Sequence, residues 1–413
     1  MNKTLPEGKP LNLGVIVEVS PRAGGRWQQA VNTLLIASQL DPTICRVTVF
    51  ALDLAAVKAI KSKGMVCFHI NFPTWRRMLS VIRSNIENGR LLFAFRKLFG
   101  SPFIEKILEE KNIDIVLFTG HTALAKSFEQ INYIATVFDL CHASHPEFPE
   151  VRFNREFERR ERAFRAVLPR ATAIFVDSEI SRHKVSLSYS IGLDRIFVFP
   201  FMPAAHLGEP QRRSTLSKLA KPSFLENRYV FYPAQFWPHK NHAYLLRGIR
   251  ILELKYLIYL DVVFVGRDAG ANEQYIRKLA LDLGISNRVH FLGYVNDEDM
   301  TQLYRESVAL VMPTYFGPTN LPPLEAFHLG VPVIHANSEE FATSLGGAAL
   351  LVDLKDPSSL AEMLRRLLSD QELRSALAVR GKALLEERSA ISHLEILSQI
   401  LCQFGQRRSC WQR

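Results

Sequence analysis

Short apolar runs alternate with segments of helical periodicity in this sequence, and this alternation limits the possible folds more than any other feature. The run 11–19 is followed by a turn from Pro21 to Gly25 and by a helical pattern from Trp27 to Gln39. A strand, a glycine-containing loop and a helix in this order are typical of the first unit of a parallel α/β sheet. The same half of the chain has five further strand candidates, at Arg46 to Ala51, Asp114 to Phe118, Tyr133 to Asp139, Ala173 to Val176 and Ile196 to Pro200.

The alternation stops at residues 203–227, which are rich in Pro, Ser, Lys and Arg and lack apolar periodicity. It resumes at Tyr229, continues to His335 and is followed by a helical tail over roughly 357–403. We therefore predict an α/β fold with two doubly wound parallel-sheet domains. The predicted order is an N-terminal domain at 1–205, an interdomain linker at 206–227, a C-terminal domain at 228–385, and a helical tail at 386–413 that packs back on the N-terminal domain.

The composition is that of an ordinary globular protein. Hydrophobic residues make up 47% and charged residues 22% of the 413 positions, which excludes collagen-like and largely disordered chains. No apolar stretch approaches the roughly 18 residues that a membrane span needs, and the first residues lack a signal-peptide pattern. Since none of the five cysteines forms a CxxC pair, we expect reduced thiols in a cytoplasmic protein.

Positive charge is concentrated in the first half of the chain. The net charge is 51 minus 41, or +10, and residues 1–200 contribute 27 minus 19, or +8. The densest basic stretch is 75–100, where apolar residues fall at helical spacing among six basic residues: Arg76, Arg77, Arg83, Arg90, Arg96 and Lys97. This pattern is typical of a helix on an anionic membrane surface, although a helix packed on the core with a solvated basic face has the same pattern. Nucleic acid is not an expected partner, because no nucleic-acid-binding signature accompanies the charge.

Three segments carry candidate chemistry. Gly24 and Gly25 lie between the first strand and the first helix, where glycines let the backbone approach a phosphate group. A tight turn has the same sequence, and the absence of a complete GxGxxG fingerprint argues against a simple dehydrogenase.

The second segment is FYPAQFWPHKNHAYLLRGI at 231–249, and the third is MPTYFGPTNLPPLEAFHLGVPVI at 312–334. In the second, Lys240 follows a strand and is placed to meet an anion, unless it is a solvated loop lysine. In the third, a loop rich in Gly and Pro leads into a helix with Glu325 in its predicted first turn. A carboxylate at this position can accept hydrogen bonds from sugar hydroxyl groups. Alternatively, it only stabilises the helix through a favourable interaction with the helix dipole.

These segments, together with VFVGRD and RVHFLGYV between them, resemble the group 1, family 4 glycosyltransferases. The resemblance is clearest from Tyr229 to Leu367, and in the N-terminal half it extends to the glycine pair and to TVFDLCHASHPEFPE at 136–150. It implies the GT-B architecture, in which two Rossmann-like domains face each other across a cleft. It also implies a hexosyltransferase-type enzyme that uses a nucleotide-diphosphate sugar and retains the anomeric configuration.

The resemblance also implies roles for individual residues. Glu325 matches the second of two glutamates eight residues apart and would bind the ribose of the donor, while Lys240 would neutralise its diphosphate. The donor base would lie against three residues, Gly266, Arg267 and Tyr294. Gly24 and Gly25 would approach the phosphates and the transferred sugar. His121 matches a histidine that contacts this sugar, and His142 is a second catalytic candidate.

Two positions depart from the family pattern. The first glutamate of the pair is replaced by Gly317, and the arginine five residues before the lysine is Gln235. We expect the missing sugar contacts to come from Asn320 or from backbone N–H groups of 318–321. The donor-site candidates on this loop are therefore Gly317, Thr319, Asn320 and Leu321.

No convincing DxD-type acidic pair is present, so we expect a metal-independent enzyme with no cofactor besides its nucleotide-diphosphate sugar. Through the resemblance and the basic stretch, the expected acceptor is a saccharide or lipid-linked saccharide in cell-surface polysaccharide synthesis (O-antigen, capsule or exopolysaccharide). The expected location is cytoplasmic, peripheral on the inner face of the plasma membrane.

The alternatives are a catalytically degenerate GT-B binding or scaffold protein, and a nucleotide-sugar epimerase or phosphorylase on the same fold.

Overall fold

The computed structural model describes residues 10–86, 88–100, 102–204, 207, 227–268, 272–317, 320–389 and 391–411. The chain divides into two compact units. The first unit contains Met1–Leu140, Glu158–Pro200 and Ser392–Arg413, and the second contains Cys141–Phe157 and Phe201–Ile391. Most of the predicted linker at 206–227 lies outside the described residues.

Each unit is built on a parallel sheet. In chain order the strands of the described residues are β1 (Leu11–Val17), β2 (Cys45–Ala51), β3 (Cys67–His69), β4 (Ile115–Phe118), β5 (Asn132–Val137), β6 (Ala173–Val176), β7 (Ile196–Val198), β8 (Tyr229–Pro233), β9 (Asp261–Val265), β10 (Val289–Phe291), β11 (Ala309–Met312), β12 (Val333–Ala336) and β13 (Ala349–Val352). The strand order is β3-β2-β1-β4-β5-β6-β7 in the first unit and β10-β9-β8-β11-β12-β13 in the second. This confirms the predicted α/β class with two doubly wound sheets.

Helices cover the two sheets. In chain order those of the described residues are α1 (Gly25–Ala37), α2 (Leu54–Ser62), α3 (Thr74–Ser84), α4 (Gly89–Phe99), α5 (Phe103–Glu110), α6 (Cys141–Ser144), α7 (Pro149–Arg152), α8 (Glu156–Val167), α9 (Glu179–Tyr189), α10 (His242–Tyr256), α11 (Asn272–Asp282), α12 (Asp297–Glu306), α13 (Leu321–His328), α14 (Glu339–Leu345), α15 (Pro357–Ser369), α16 (Gln371–Ser389) and α17 (His393–Arg408). Because both sheet faces are covered, the central strands β4 and β11 are buried along their whole length, which is why they read as unbroken apolar runs.

The sequence did not predict strands β3 and β13, which lie at the sheet edges. β3 is only the tripeptide Cys67–His69, with Phe68 38% exposed. Three of the four residues of β13 are only half-buried. An edge strand pairs on one side only, so it needs neither the length nor the apolar run of a central strand.

The stretch Cys141–Phe157 belongs to the second unit, although the sequence-based boundary places it in the N-terminal domain. Aromatic contacts explain this difference. The ring of Phe148 lies 5.4 Å from that of Tyr315 and 5.3 Å from that of Phe316, measured between centroids. These contacts join chain segments that are far apart in sequence, so the local pattern does not reveal them.

The C-terminal helix α17 packs on the first unit. Leu397, Ile400, Leu401 and Phe404 lie in the same apolar cluster as Leu34 of α1. The Nε2 atom of His393 also lies 2.8 Å from the carbonyl oxygen of Pro200. The last helix is therefore part of the first core.

We predict that Leu401→Ala destabilises the protein by about 3 kcal/mol, because a fully buried leucine leaves a cavity when it is truncated. The free energy of unfolding in urea measures this loss. The matched control is Gln403→Ala on the exposed side of α17, for which we expect no measurable change. Equal stability of the two variants would contradict the packing of α17.

Candidate functional site

Two loops of the second unit meet at the carboxyl ends of the neighbouring strands β8 and β11. The carbonyl oxygen of His239 accepts hydrogen bonds from the backbone N–H of Tyr315 (2.9 Å) and from the hydroxyl of Thr314 (3.3 Å). The Tyr232 hydroxyl donates to the carbonyl of Lys240 over 2.8 Å. Loops that follow adjacent parallel strands come together at one sheet edge, and these bonds fix the backbone on both sides of Lys240.

The side chain of Lys240 reaches the second loop. Its Nζ atom donates to Oδ1 of Asn320 over 3.1 Å, and the Asn320 amide donates to the carbonyl of Gly317. Gly317 has φ of +103°, and a Cβ atom there would lie 2.9 Å from Asn320 Oδ1. Any side chain at 317 would therefore be strained and would compete with Asn320 for space. Thr319 lies outside the described residues.

Helix α13 begins at Leu321 with Asn320 as its N-cap residue, but the Asn320 side chain does not cap the helix. The next two residues, Pro322 and Pro323, have no N–H group, so this helix start presents fewer free donors than most. Within the predicted range 318–321, residue 318 is also a proline, so only 319–321 have N–H groups. Leu321 itself is buried and contributes to packing.

Glu325 lies in the second turn of α13, not the first as predicted, because the helix begins at Leu321 and its first turn contains no acid. Its Oε2 atom accepts a 2.7 Å hydrogen bond from the Tyr304 hydroxyl. Burial raises the pKa of Glu325 to about 7, the bond from Tyr304 lowers it, and the charge of Asp297 raises it. A carboxyl group held between two helices is more than a helix cap, and its protonation state changes near neutral pH.

Of the base-site candidates, Gly266 and Arg267 follow β9, and Tyr294 follows β10. A Cβ atom on Gly266 would fall 2.2 Å from the carbonyl oxygen of Ala234, so the close approach of two loops requires glycine here. The carbonyl of Arg267 accepts from the N–H of Phe236 over 3.1 Å. Tyr294 is 67% exposed. These contacts give Gly266 and the Arg267 backbone a packing role, while Tyr294 is accessible to a ligand.

In the first unit, the glycine loop lies open between β1 and α1. Gly24 has φ of 60° and ψ of −129°, a conformation that other residues rarely adopt. Gly25 is the first residue of α1, and the flanking Arg22 and Arg26 are exposed. The loop can therefore accommodate an anion between basic side chains.

His121 follows β4 and is partly exposed, with 23% of its side chain accessible. The N–H of Phe138 points at its Nδ1 atom (3.5 Å), and its Nε2 atom lies 3.7 Å from Asp139 Oδ2. This distance is too long for a hydrogen bond, and Nε2 is buried without a hydrogen-bond partner among the described residues. Asp139 itself contacts Arg160 over 3.2 Å, so a paired carboxylate lies beside the imidazole ring.

Glu18 is an acid of this region that the sequence-based prediction missed. Burial raises its pKa to about 7, although a hydrogen bond with Thr122 lowers it. Glu18 directly follows β1, and Asp139 comes soon after β5. Glu18 and Asp139 are thus polar residues that follow buried strands, and this sequence pattern could have identified them.

His142, the second catalytic candidate, is fully buried in the second unit, where its ring packs 5.7 Å from that of Phe157. Its catalytic role stays a prediction.

The basic stretch forms α3 and α4. Four of its six basic residues are exposed, and Arg76 is half-buried with its guanidinium over the ring of Phe103. Arg83 is buried, because its guanidinium is 5% exposed and is held by Glu129 and by the carbonyl of Gly100. Of the 24 large hydrophobic side chains that are exposed in the described residues, eight lie here: Trp75, Met78, Val81, Ile82, Leu91, Phe93, Leu98 and Phe99. We call this surface the α3–α4 face.

Two further observations concern the described part of the chain. None of its helices combines the length and hydropathy of a membrane-spanning segment. No group of three or more His, Cys, Asp or Glu side chains is arranged there to hold a metal ion.

We predict that Glu325→Gln stabilises the protein at high pH only. A folded-state pKa near 7, above the usual 4.5, means that the carboxyl binds a proton more tightly in the folded state, so stability falls as pH rises through this range. Glutamine removes this loss, which is on the order of 3 kcal/mol at most. Thermal unfolding should therefore show equal midpoints near pH 4.5 and a higher midpoint for the variant at pH 8.5.

The control is Glu387→Gln, an exposed position on α16, which should track the parent at every pH. A pH-independent difference for Glu325→Gln would contradict the raised pKa.

The chain is similar to known glycosyltransferases in sequence. The family model described as "Glycosyl transferases group 1" matches residues 217–384. The O-antigen chain mannosyltransferase B of Escherichia coli is 25% identical over 243 residues, which cover 59% of this chain and 62% of that protein. A D-inositol 3-phosphate glycosyltransferase of Corynebacterium efficiens is 30% identical over 155 residues, or 36% of this chain and 37% of that protein. The matches thus span less than two thirds of these curated relatives.

The chain is also similar to known glycosyltransferases in fold. The crystal structure of Anabaena Alr3699/HepE in complex with UDP and glucose superposes with a TM-score of 0.70 at 16% identity, over 94% of this chain and 99% of that one. This likeness covers both units and shows a common fold. Residues 217–384 are thus a group 1 glycosyltransferase domain, in a chain that has the GT-B fold.

Proposed function

We propose that the protein is a retaining family 4 glycosyltransferase that moves a hexose-type sugar from a nucleotide-diphosphate sugar to a hydroxyl of a saccharide or lipid-linked saccharide. The observation that carries this proposal is the 3.1 Å contact between Lys240 and Asn320 at the start of the helix that presents Glu325. Five residues separate Asn320 from Glu325, roughly 7.5 Å along a helix axis. Both groups therefore lie near the start of α13, and we propose that the ammonium group binds the diphosphate and the carboxylate binds the ribose of one donor.

Lys240 is the group that would act on the leaving diphosphate. In glycosyl transfer, negative charge develops on the diphosphate while the sugar acquires oxocarbenium character. The amide oxygen of Asn320 orients the ammonium group of Lys240 without neutralising its charge. We therefore propose that this charge is stabilised without a metal ion.

Glu325 would accept hydrogen bonds from the ribose hydroxyls through an ionised carboxylate. The Tyr304 hydroxyl holds the side chain in place. In the first unit, we propose that His121 contacts the transferred sugar, with the Asp139 carboxylate 3.7 Å from its Nε2 atom. Retention follows if the acceptor attacks on the face from which the diphosphate leaves.

We propose that the product belongs to a cell-surface polysaccharide such as O-antigen, capsule or exopolysaccharide. The similarity to an O-antigen chain mannosyltransferase supports this assignment. The acceptor would be a growing saccharide, either free or linked to lipid.

The donor site is tested by nucleotide binding and turnover. We predict that UDP-, GDP- or dTDP-sugars raise the thermal midpoint of the parent protein, since a ligand that binds only the folded state stabilises it. Glu325→Ala should weaken this binding by about tenfold or more, and Lys240→Ala should lower the release of nucleoside diphosphate by about 100-fold.

The matched control is Lys255→Ala, an exposed lysine on α10 of the same unit, which should bind and turn over the donor as the parent does. Parent-level transfer by both site variants would contradict the assignment. A parent protein that responds to no nucleotide would favour the scaffold alternative.

We also propose that the α3–α4 face binds the inner face of the plasma membrane. Its exposed apolar side chains lie beside basic residues, among them Arg90 and Lys97. Apolar insertion and attraction to anionic lipid headgroups reinforce each other at such a surface. Arg83 is buried against Glu129, and this contact holds α3 on the first unit.

We predict that the combined change of Arg77, Arg90 and Lys97 to Gln reduces sedimentation with vesicles that contain anionic phospholipid. Each basic residue near the surface contributes about 1 kcal/mol of attraction. The control variant changes Lys58, Lys61 and Lys63, which are exposed on or beside α2, and it removes the same charge elsewhere in the first unit. Equal sedimentation of the two variants would exclude a specific role of the α3–α4 face.

A further inference from the structure

Glu150 is a buried acid beside the donor loop, and the family resemblance gives it no role. It lies in the short helix α7, within the stretch Cys141–Phe157 that belongs to the second unit. Its Oε1 atom accepts the backbone N–H of His239 over 3.1 Å and also pairs with Nδ1 of the His239 ring. Both side chains are only 11% exposed, so this contact is shielded from water.

The contact with His239 favours the ionised form of the Glu150 carboxyl. Burial alone would raise the pKa of Glu150, but the hydrogen bond and the charge of His239 outweigh it and lower the pKa below its usual value. The second oxygen, Oε2, is buried without a hydrogen-bond partner among the described residues. A buried ion pair rarely increases stability over an apolar pair, and one with an unsatisfied oxygen does so even less, so stability does not explain it.

The same histidine controls the geometry around Lys240. Its ring stacks on Phe316 with centroids 4.0 Å apart and an interplanar angle of 12°. Its carbonyl accepts the bonds from Thr314 and Tyr315, and Lys240 is the next residue. Fixing both the ring and the backbone of His239 therefore fixes the start of the Lys240 side chain.

The position of Lys240 matters more because residue 235 is an uncharged glutamine. Gln235 stands where the family pattern has an arginine, and its Oε1 atom accepts from the indole N–H of Trp237 over 2.8 Å. An uncharged side chain engaged within its own loop cannot replace a guanidinium at a diphosphate. The position of Lys240 then determines how well the loop binds that anion.

We propose that Glu150 is a positioning residue of the donor site: through His239 it holds Lys240 where the ammonium group meets the diphosphate of the donor. This inference rests on the proposed function. It assigns to Cys141–Phe157 the task of ordering the donor loop.

The test is a double-mutant cycle on nucleotide binding. Dissociation constants for UDP, GDP and dTDP are measured by calorimetry for the parent, Glu150→Gln, Lys240→Ala and the double variant, and the release of nucleoside diphosphate from the sugar nucleotides is followed in parallel. We expect Glu150→Gln to weaken binding of the preferred nucleotide about tenfold in the parent, but less than twofold in the Lys240→Ala background, because residues that act through one another are not additive. Its kcat should fall more than its KM rises.

Two further variants complete the test. Glu150→Asp, which keeps the charge, should recover part of the loss, and the exposed neighbour Glu147→Gln should behave as the parent. An equal loss in both backgrounds, accompanied by a lower thermal midpoint, would show a merely structural role and overturn the inference. Parent-like binding by Glu150→Gln would overturn it while leaving the proposed function intact, whereas a parent that binds none of the three nucleotides would overturn both.

Discussion

The carbonyl oxygen of His239 is the point on which the donor site depends. It accepts from both Thr314 and Tyr315, and so it joins the loop after β8 to the loop after β11. Adjacent parallel strands bring these loops to one sheet edge, but only the shared acceptor sets their relative position. Lys240 extends from one side of this junction, and Asn320 from the other.

Gly317 and Asn320 form a coupled pair in the candidate donor site. The φ of +103° at Gly317 and the 2.9 Å approach of Asn320 Oδ1 mean that a glutamate there would be strained and would displace the Asn320 side chain. The space is taken by an amide that bonds to Lys240. The mutual adjustment of Gly317, Asn320 and Lys240 supports our proposal that the chain is an active enzyme with its own donor contacts.

The sequence predicted those parts of the molecule that local chemistry determines. The central strands were evident because burial on both faces requires unbroken apolar runs. Lys240 was a candidate because it follows a strand, and Glu325 because a loop rich in Gly and Pro leads into its helix; their binding of a donor stays a prediction. The edge strands β3 and β13 lack that burial and were missed. The partners Tyr304 and Glu150 could not be found, since they lie 21 and 89 residues away from the groups they contact and are brought there by packing alone.

Arg83 shows the same limit at the α3–α4 face. Its neighbours in sequence are exposed, yet its guanidinium is buried because the loop at Glu129 lies directly beside it. That loop is in turn ordered by Glu105 of α5, whose Oε1 atom accepts three consecutive backbone N–H groups between 2.8 and 3.0 Å. Glu105 thus holds the loop at Glu129 in place, and Glu129 holds the guanidinium of Arg83. Arg83 in turn fixes the position of α3. Arg76 also lies over the ring of Phe103, and Arg77 donates to the carbonyl of Phe72. The charge available to a partner is therefore set by these contacts and not by the number of basic residues in the sequence.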